Sequence, residues 1–166
     1  MGSTTMSGSS TASAEPQPLA ALRRFLLGVL LLGAAGMGTE LLLIGHVEGA
    51  FQLTPVALLA SGVLILAWLA LAPARAAVRA VRAVMALFVA SGVVGVVLHY
   101  QGNQEFELEI YPDMAGMELV RETLTGATPV LAPGSMALLG LVGLAVTLHH
   151  PASLGRRIPP SPGELP

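Results

Sequence analysis

The arginines of this chain lie at one end of its hydrophobic stretches, and the acidic residues lie at the other end. Four such stretches run over 25–44, 55–72, 83–98 and 130–148. Seven of the eight basic residues precede the first stretch, separate the second from the third, or follow the fourth, whereas eight of the ten acidic residues lie near the opposite ends. Arginine is retained on the cytoplasmic side of membranes. The pattern therefore predicts a multi-pass membrane protein with both termini and the 73–82 loop in the cytoplasm.

The composition of the chain supports a membrane location independently. Hydrophobic residues make up 54% and charged residues 11% of the sequence, whereas soluble domains carry about 25% charged residues. A membrane-spanning helix needs roughly 20 apolar residues, within a range of about 17–25. We therefore expect an all-α membrane protein, a four-transmembrane-helix up-down bundle over residues 22–150. Disordered cytoplasmic tails are expected at 1–21 and 151–166, which are rich in small polar residues and proline.

The first hydrophobic stretch has a second interpretation. Arg23 and Arg24 before an apolar run, with the small residues Ala34, Ala35 and Gly36 after it, also fit a cleaved secretory signal. The apolar run continues past Gly36 as far as residue 44, which is full spanning length. A retained helix is therefore favoured.

Several functional classes are disfavoured by what the sequence lacks. The chain has no cysteine, which excludes dithiol chemistry. It has no dense basic patch with interleaved aromatic residues, so no nucleic-acid partner is expected. All its basic residues are arginines, and with abundant alanine, glycine and valine this bias favours a GC-rich bacterial genome and hence a bacterial inner membrane. We see no nucleophile constellation or phosphate loop, and expect no enzymatic activity and no cofactor other than a divalent metal.

An outer cap is predicted over residues 99–129. Residues 104–111 alternate polar and apolar side chains, which is typical of a strand and would place Glu105, Glu107 and Glu109 on one face for contact with a partner. Because a lone strand is unstable, we expect it to pair with residues 46–53 in a short β ribbon. Residues 114–125 predict an amphipathic helix with methionine and leucine facing inward.

Four outer residues form a candidate metal site. Glu40 lies within the first stretch, where a carboxylate is costly and usually functional. His46 and Glu48 follow it, and His99 ends the third stretch at the same face. Two imidazoles and two carboxylates are suitable ligands for zinc or another divalent ion. Interfacial polar residues that brace the loops are the favoured interpretation, with the metal site second and proton or ion handling third.

The inner arginines and the small residues predict contacts with lipid and between helices. Arg75, Arg79 and Arg82 are spaced at i, i+4 and i+7, so they should form one stripe facing the inner headgroups. Topology determination is the favoured role of this stripe, and a specific lipid or partner site is the alternative. Gly140 and Gly143 are small residues at packing spacing. They favour packing within the monomer and leave a homo-oligomer open.

Two segments carry a resemblance to known proteins. Residues 99–111, HYQGNQEFELEIY, and 126–136, GATPVLAPGSM, resemble those of uncharacterised small bacterial four-span integral membrane proteins. The resemblance would cover most of residues 22–151. It implies topology and bacterial origin, and it implies no activity and no site residues.

The leading functional prediction is a non-enzymatic accessory or scaffold protein of the membrane, whose acidic cap contacts an extracytoplasmic or membrane partner. The first alternative is a divalent-metal-binding or proton-linked protein that uses the outer glutamates and histidines. The second is a small oligomeric transporter, since a glutamate in the first of four spans is similar in outline to the small multidrug transporters. The strong arginine bias disfavours the dual insertion found in some of those proteins.

Overall fold

The computed structural model describes residues 16–153, and this part of the chain contains helices and no strand. Five α-helices follow one another along the sequence, and a 3-10 helix at Pro151–Ser153 comes last. The α-helices are α1 (Gln17–Leu43), α2 (Gly49–Leu71), α3 (Arg75–Ile110), α4 (Gly116–Thr125) and α5 (Gly134–Val146). Most of the two predicted tails lies outside the described residues, although residues 17–21 already belong to α1.

Three helices, α1, α2 and α3, are long and apolar enough to cross a membrane. Only 11–22% of their most apolar windows is buried inside the protein. The remaining apolar side chains face outward in a broad band that includes Leu32, Leu64 and Leu71, each more than 70% exposed. Exposed apolar surface of this extent is characteristic of contact with lipid. The protein is therefore consistent with a membrane protein that has three candidate spans.

The predicted four-transmembrane-helix bundle is wrong, because the fourth apolar stretch forms too short a helix. Helix α5 has 13 residues, which correspond to about 20 Å at about 1.5 Å per residue, whereas the hydrocarbon core is about 30 Å thick. Pro133 is the N-cap of α5, and the chain leaves helical geometry near His149, which has a φ of 48°. The predicted stretch at 130–148 was longer than this helix because the residues that flank α5 are also apolar.

The predicted β ribbon is also wrong. Residues 104–110 continue α3, and residues 49–53 begin α2. The far end of α3 is exposed on most of its surface, so a helix there needs no wide apolar stripe. The alternation of polar and apolar residues therefore suggested a strand where the chain is helical. Glu107 consequently lies on a different face of the helix from Glu105 and Glu109.

Helices α1, α2, α3 and α5 form a ring in which each packs against two neighbours, in that order. Helix α5 runs antiparallel to α3. Its N-terminal end lies at Pro133 beside Gly95, and its C-terminal end reaches Thr147 beside Arg82. The core of the ring consists of fully buried apolar side chains, among them Leu30, Leu59, Leu66, Val81, Met85 and Phe88.

The close packing of α3 and α5 depends on Gly140. A Cβ atom at this buried position would lie 2.6 Å from the carbonyl oxygen of Met85 and 2.9 Å from the backbone nitrogen of Val89. Both are backbone atoms, which a rotamer change cannot move away. The glycine therefore allows two helix backbones to touch, as small residues do in membrane bundles.

Candidate functional site

The outer cap, residues 99–129, is built on an extension of α3. This helix continues for 12 residues beyond the apolar stretch at 83–98, or about 18 Å, because no proline interrupts it before Pro112. Helix α4 then packs back against the extension. The cap contains six acidic residues and one arginine, so a helical hairpin carries the charge that the sequence assigned to a ribbon.

Asn103 holds the two arms of this hairpin together. Its side chain is 2% exposed, and its amide nitrogen donates to the carbonyl oxygens of Thr123 at 2.9 Å and Thr128 at 2.8 Å. Its amide oxygen accepts from the backbone N–H and the hydroxyl of Thr128, at 3.0 and 2.7 Å. An asparagine side chain has two donor hydrogens and two acceptor lone pairs, and all four are used here.

Two neighbours of Asn103 complete the attachment. Gly126 lies so close that a Cβ atom there would be 2.9 Å from the amide nitrogen of Asn103. One helical turn earlier, Nδ1 of His99 lies 3.2 Å from the carbonyl oxygen of Pro129. Since a carbonyl only accepts, this nitrogen carries the hydrogen. His99 and Asn103 thus fasten the segment that leads from α4 to α5.

Sequence reasoning missed Asn103, because Gly102 and Asn103 together are typical of a turn. The available signal was helical spacing. His99, Asn103, Glu107 and Ile110 recur at intervals of three or four, so they lie along one side of a helix. The alternation of residues 104–111 concealed this period.

An acidic cavity of about 610 Å³ lies where α3 ends and α4 begins. Four acidic residues line it, namely Glu107, Asp113, Glu118 and Glu122. Ile110, Tyr111 and Met114 also contribute to the lining. At the rim, Arg121 lies 3.4 Å from Glu122, and its side chain is 78% exposed. This ion pair offsets one of the four acidic charges, so the lining stays negatively charged. The cavity can therefore receive a cationic group.

The three predicted partner-contact glutamates separate into two sets. Glu107 is half-buried and lines the cavity, whereas Glu105 and Glu109 are exposed. At about 100° per residue, Glu105 and Glu109 lie close together on a face of α3 well away from Glu107. Only Glu107 therefore belongs to the cavity.

Helix α4 coincides with the helix predicted over 114–125, but its orientation is not the predicted one. Met117 is 79% exposed, and Thr123 is completely buried against α3. Polar contacts with Asn103 orient α4, so its apolar stripe faces outward. This stripe comprises Met117, Val120 and Leu124.

The four predicted metal ligands are dispersed. Helices α1 and α3 do not contact each other. Glu40 is in α1 and His46 follows this helix, so neither is on an element that packs against the helix carrying His99. The backbone N–H of Glu48 donates to the side chain of Gln52 at 2.8 Å, at the start of α2. Within residues 16–153, no three histidine or acidic side chains are grouped to hold a metal ion. Metal binding by these residues stays a prediction.

The predicted inner stripe also divides. Arg75 and Arg79 are exposed, as headgroup contact requires. Arg82 is half-buried and instead donates to the carbonyl oxygen of Thr147 at 2.6 Å, with its Nε 3.3 Å from the Thr147 hydroxyl. From the other side, Arg23 donates to the carbonyl oxygens of Val146 and Leu148. Two arginines thus satisfy carbonyl groups left open at the end of α5.

Comparison with known proteins identified no similar protein. No protein-family model matches the chain, and comparisons with curated proteins and with solved structures gave no match either. The similarity of 99–111 and 126–136 to small bacterial membrane proteins stays a prediction. The function of the cap is therefore inferred from the residues of this chain alone.

Proposed function

We propose that this chain is a non-enzymatic accessory or scaffold protein of the bacterial inner membrane, whose outer cap binds a basic partner. The partner is a protein outside the cytoplasm or a neighbouring membrane subunit. One observation carries the proposal, namely the acidic cavity between α3 and α4. Four acidic residues line this space, whose volume is in the range of about 300–1,000 Å³ that is usual for binding sites.

The lining of the cavity suits an arginine or lysine side chain of the partner. The carboxylates of Glu107 and Glu118 would pair with the charged head, while Ile110 and Met114 would contact the aliphatic stem. Because Asn103 fixes α4 on α3, little conformational entropy would be lost when the partner binds.

The exposed apolar stripe on α4 supports a partner of mixed character. Met117, Val120 and Leu124 are exposed on the same short helix that contributes Glu118 and Glu122 to the cavity. Methionine is enriched at protein interfaces and adapts to irregular surfaces. A segment that alternates basic and apolar residues would complement both surfaces.

The proposed orientation places the cap outside the cytoplasm, with the arginine-rich end of the ring facing the cytoplasm. The distribution of arginines supports it. The bonds of Arg23 and Arg82 to the end of α5 support it as well, because they hold residues 146–148 at the arginine-rich end of the ring.

A binding experiment with charge-matched variants tests the proposal. The full-length protein in lipid nanodiscs is titrated with a fluorescent peptide of alternating arginine and leucine. The Glu107→Gln/Glu118→Gln variant should bind about tenfold more weakly, since two ion pairs of up to about 1 kcal/mol each are lost. The control, Glu105→Gln/Glu109→Gln, removes the same charge from the opposite face and should retain nearly full affinity.

The outcomes distinguish binding in the acidic cavity from attraction by the overall negative charge of the cap. Equal weakening in both variants would mean that net charge alone attracts the peptide, and the cavity would have no specific role. An acidic peptide of the same length serves as the negative control. Binding of that peptide with similar affinity would also contradict the proposal.

A further inference from the structure

A second cavity, of about 480 Å³, lies at the opposite end of the ring from the cap. It is an open cavity bordered by the arginine-rich end of α1, the last turn of α2 and the residues that follow α5. The geometry points to a binding site for an anionic phospholipid, with the lipid phosphate at Arg24 and the upper acyl chain between α1 and α2. This site is independent of the outer cap and of the function proposed for it.

The polar part of the cavity is organised by the fold. Arg23 lines it while donating to the carbonyl oxygens of Val146 and Leu148, so its guanidinium is held in place at the mouth. Arg24 is exposed beside it and takes no part in the contacts that hold α5. Guanidinium groups bind phosphate through short, charge-assisted hydrogen bonds.

Apart from His150, the rest of the wall is apolar. Leu27, Leu69, Ala70 and Val146 line the cavity below the arginines, and Leu69 and Val146 are buried. A free phosphate would contact the arginines and leave this wall uncovered. A phospholipid would cover both parts, because its phosphate and its acyl chains are separated in the same order as the arginines and the apolar wall.

The depth of the cavity matches the level of lipid headgroups. Trp68 directly precedes Leu69 near the end of α2 and is 43% exposed. Tryptophan concentrates at the boundary between headgroups and acyl chains. Arg23 and Arg24, which line the cavity, would favour anionic over zwitterionic lipids at this level.

Lipid binding by the full-length protein in detergent tests the inference. Native mass spectrometry counts the phosphatidylglycerol molecules retained per chain. Arg24→Gln should reduce retention about tenfold, as expected when a charge-assisted contact is lost. Arg79→Gln removes another exposed inner arginine, outside the cavity, and should leave retention nearly unchanged.

A second pair of variants tests the apolar wall. Ala70→Trp should fill the cavity and displace the lipid, whereas Ala60→Trp places the same side chain elsewhere on α2 and should not. Both positions are exposed, so neither substitution disturbs the core.

Three results would overturn the inference. The first is equal loss in Arg24→Gln and Arg79→Gln, which indicates general surface attraction. The second is displacement of the lipid by inorganic phosphate, which indicates a soluble-anion site. The third is equal retention of phosphatidylcholine and phosphatidylglycerol by the wild-type protein. Preferential retention of phosphatidylglycerol that resists phosphate supports it.

Discussion

Asn103 and Thr128 are joined by three hydrogen bonds, although 25 residues separate them along the chain. The carboxamide donates to the Thr128 carbonyl and accepts from both its backbone N–H and its hydroxyl. Because Asn103 is on the extension of α3 and Thr128 follows α4, this pairing fixes the shape of the cap. The acidic cavity depends on it.

Asn103→Ala should therefore loosen the cap. The substitution leaves the backbone carbonyls of Thr123 and Thr128 and the N–H of Thr128 without their partner, at a cost of about 2–3 kcal/mol. Hydrogen exchange of the Thr128 amide should accelerate, and denaturant unfolding should report the lower stability. Gln101→Ala, at an exposed position two residues earlier on α3, is the control. Unchanged exchange at Thr128 would contradict the role given to Asn103.

Thr123→Val should stabilise the cap. The Thr123 hydroxyl is buried and has no hydrogen-bond partner among the described residues, and an unsatisfied buried polar group costs about 1–3 kcal/mol. Valine has nearly the same shape and removes this cost. The exposed Thr125, whose hydroxyl donates to the Arg121 carbonyl at 3.0 Å, provides the control Thr125→Val. Thermal unfolding in detergent should show a higher midpoint only for the first variant, and a lower midpoint there would refute the interpretation.

Gly140→Ala should destabilise the packing of α3 against α5. The added methyl group would meet backbone atoms of Met85 and Val89, and overpacking of this kind costs about 1–3 kcal/mol. Gly36→Ala is the matched control, since a Cβ atom there meets nothing within 4 Å and alanine should stabilise the helix by about 0.5–1 kcal/mol. Equal effects on unfolding would show that the contact at Gly140 is unimportant.

The apolar stretches predicted the three long helices well, because hydropathy reports directly on what lipid accepts. The predicted spans at 25–44, 55–72 and 83–98 lie largely within α1, α2 and α3. Hydropathy does not indicate where the backbone hydrogen bonds of a helix end. The fourth stretch therefore seemed long enough to span, although its turns leave a helix of 13 residues.

The cap was harder to predict for a different reason. Its acidic composition and the helix over 114–125 were visible in the sequence, whereas the strand at 104–111 was wrong. A helix that is exposed on most sides has no strong apolar period, so an accidental alternation of residues can dominate the pattern. Asn103 was missed because its partners lie 20 and 25 residues away, and no local pattern encodes such pairs.

Metal analysis separates the scaffold from its first alternative. If the scaffold proposal is right, the purified full-length protein, dialysed without chelator, should hold no stoichiometric divalent ion. Elemental mass spectrometry provides the measurement. One ion per chain that disappears in the His46→Ala/His99→Ala variant would favour the metal-binding alternative instead.

The compartment of each end of α3 is the most direct test of the whole account. The chain has no cysteine, so single cysteines can be introduced at Arg79 and Glu118 and probed with a membrane-impermeant maleimide. From Arg79 to the last turn of α3 at Glu107 the helix rises about 42 Å, which exceeds the hydrocarbon thickness of about 30 Å. We expect Glu118→Cys to react only in intact spheroplasts and Arg79→Cys only in inverted vesicles. Reaction of both cysteines from the same side would contradict the account.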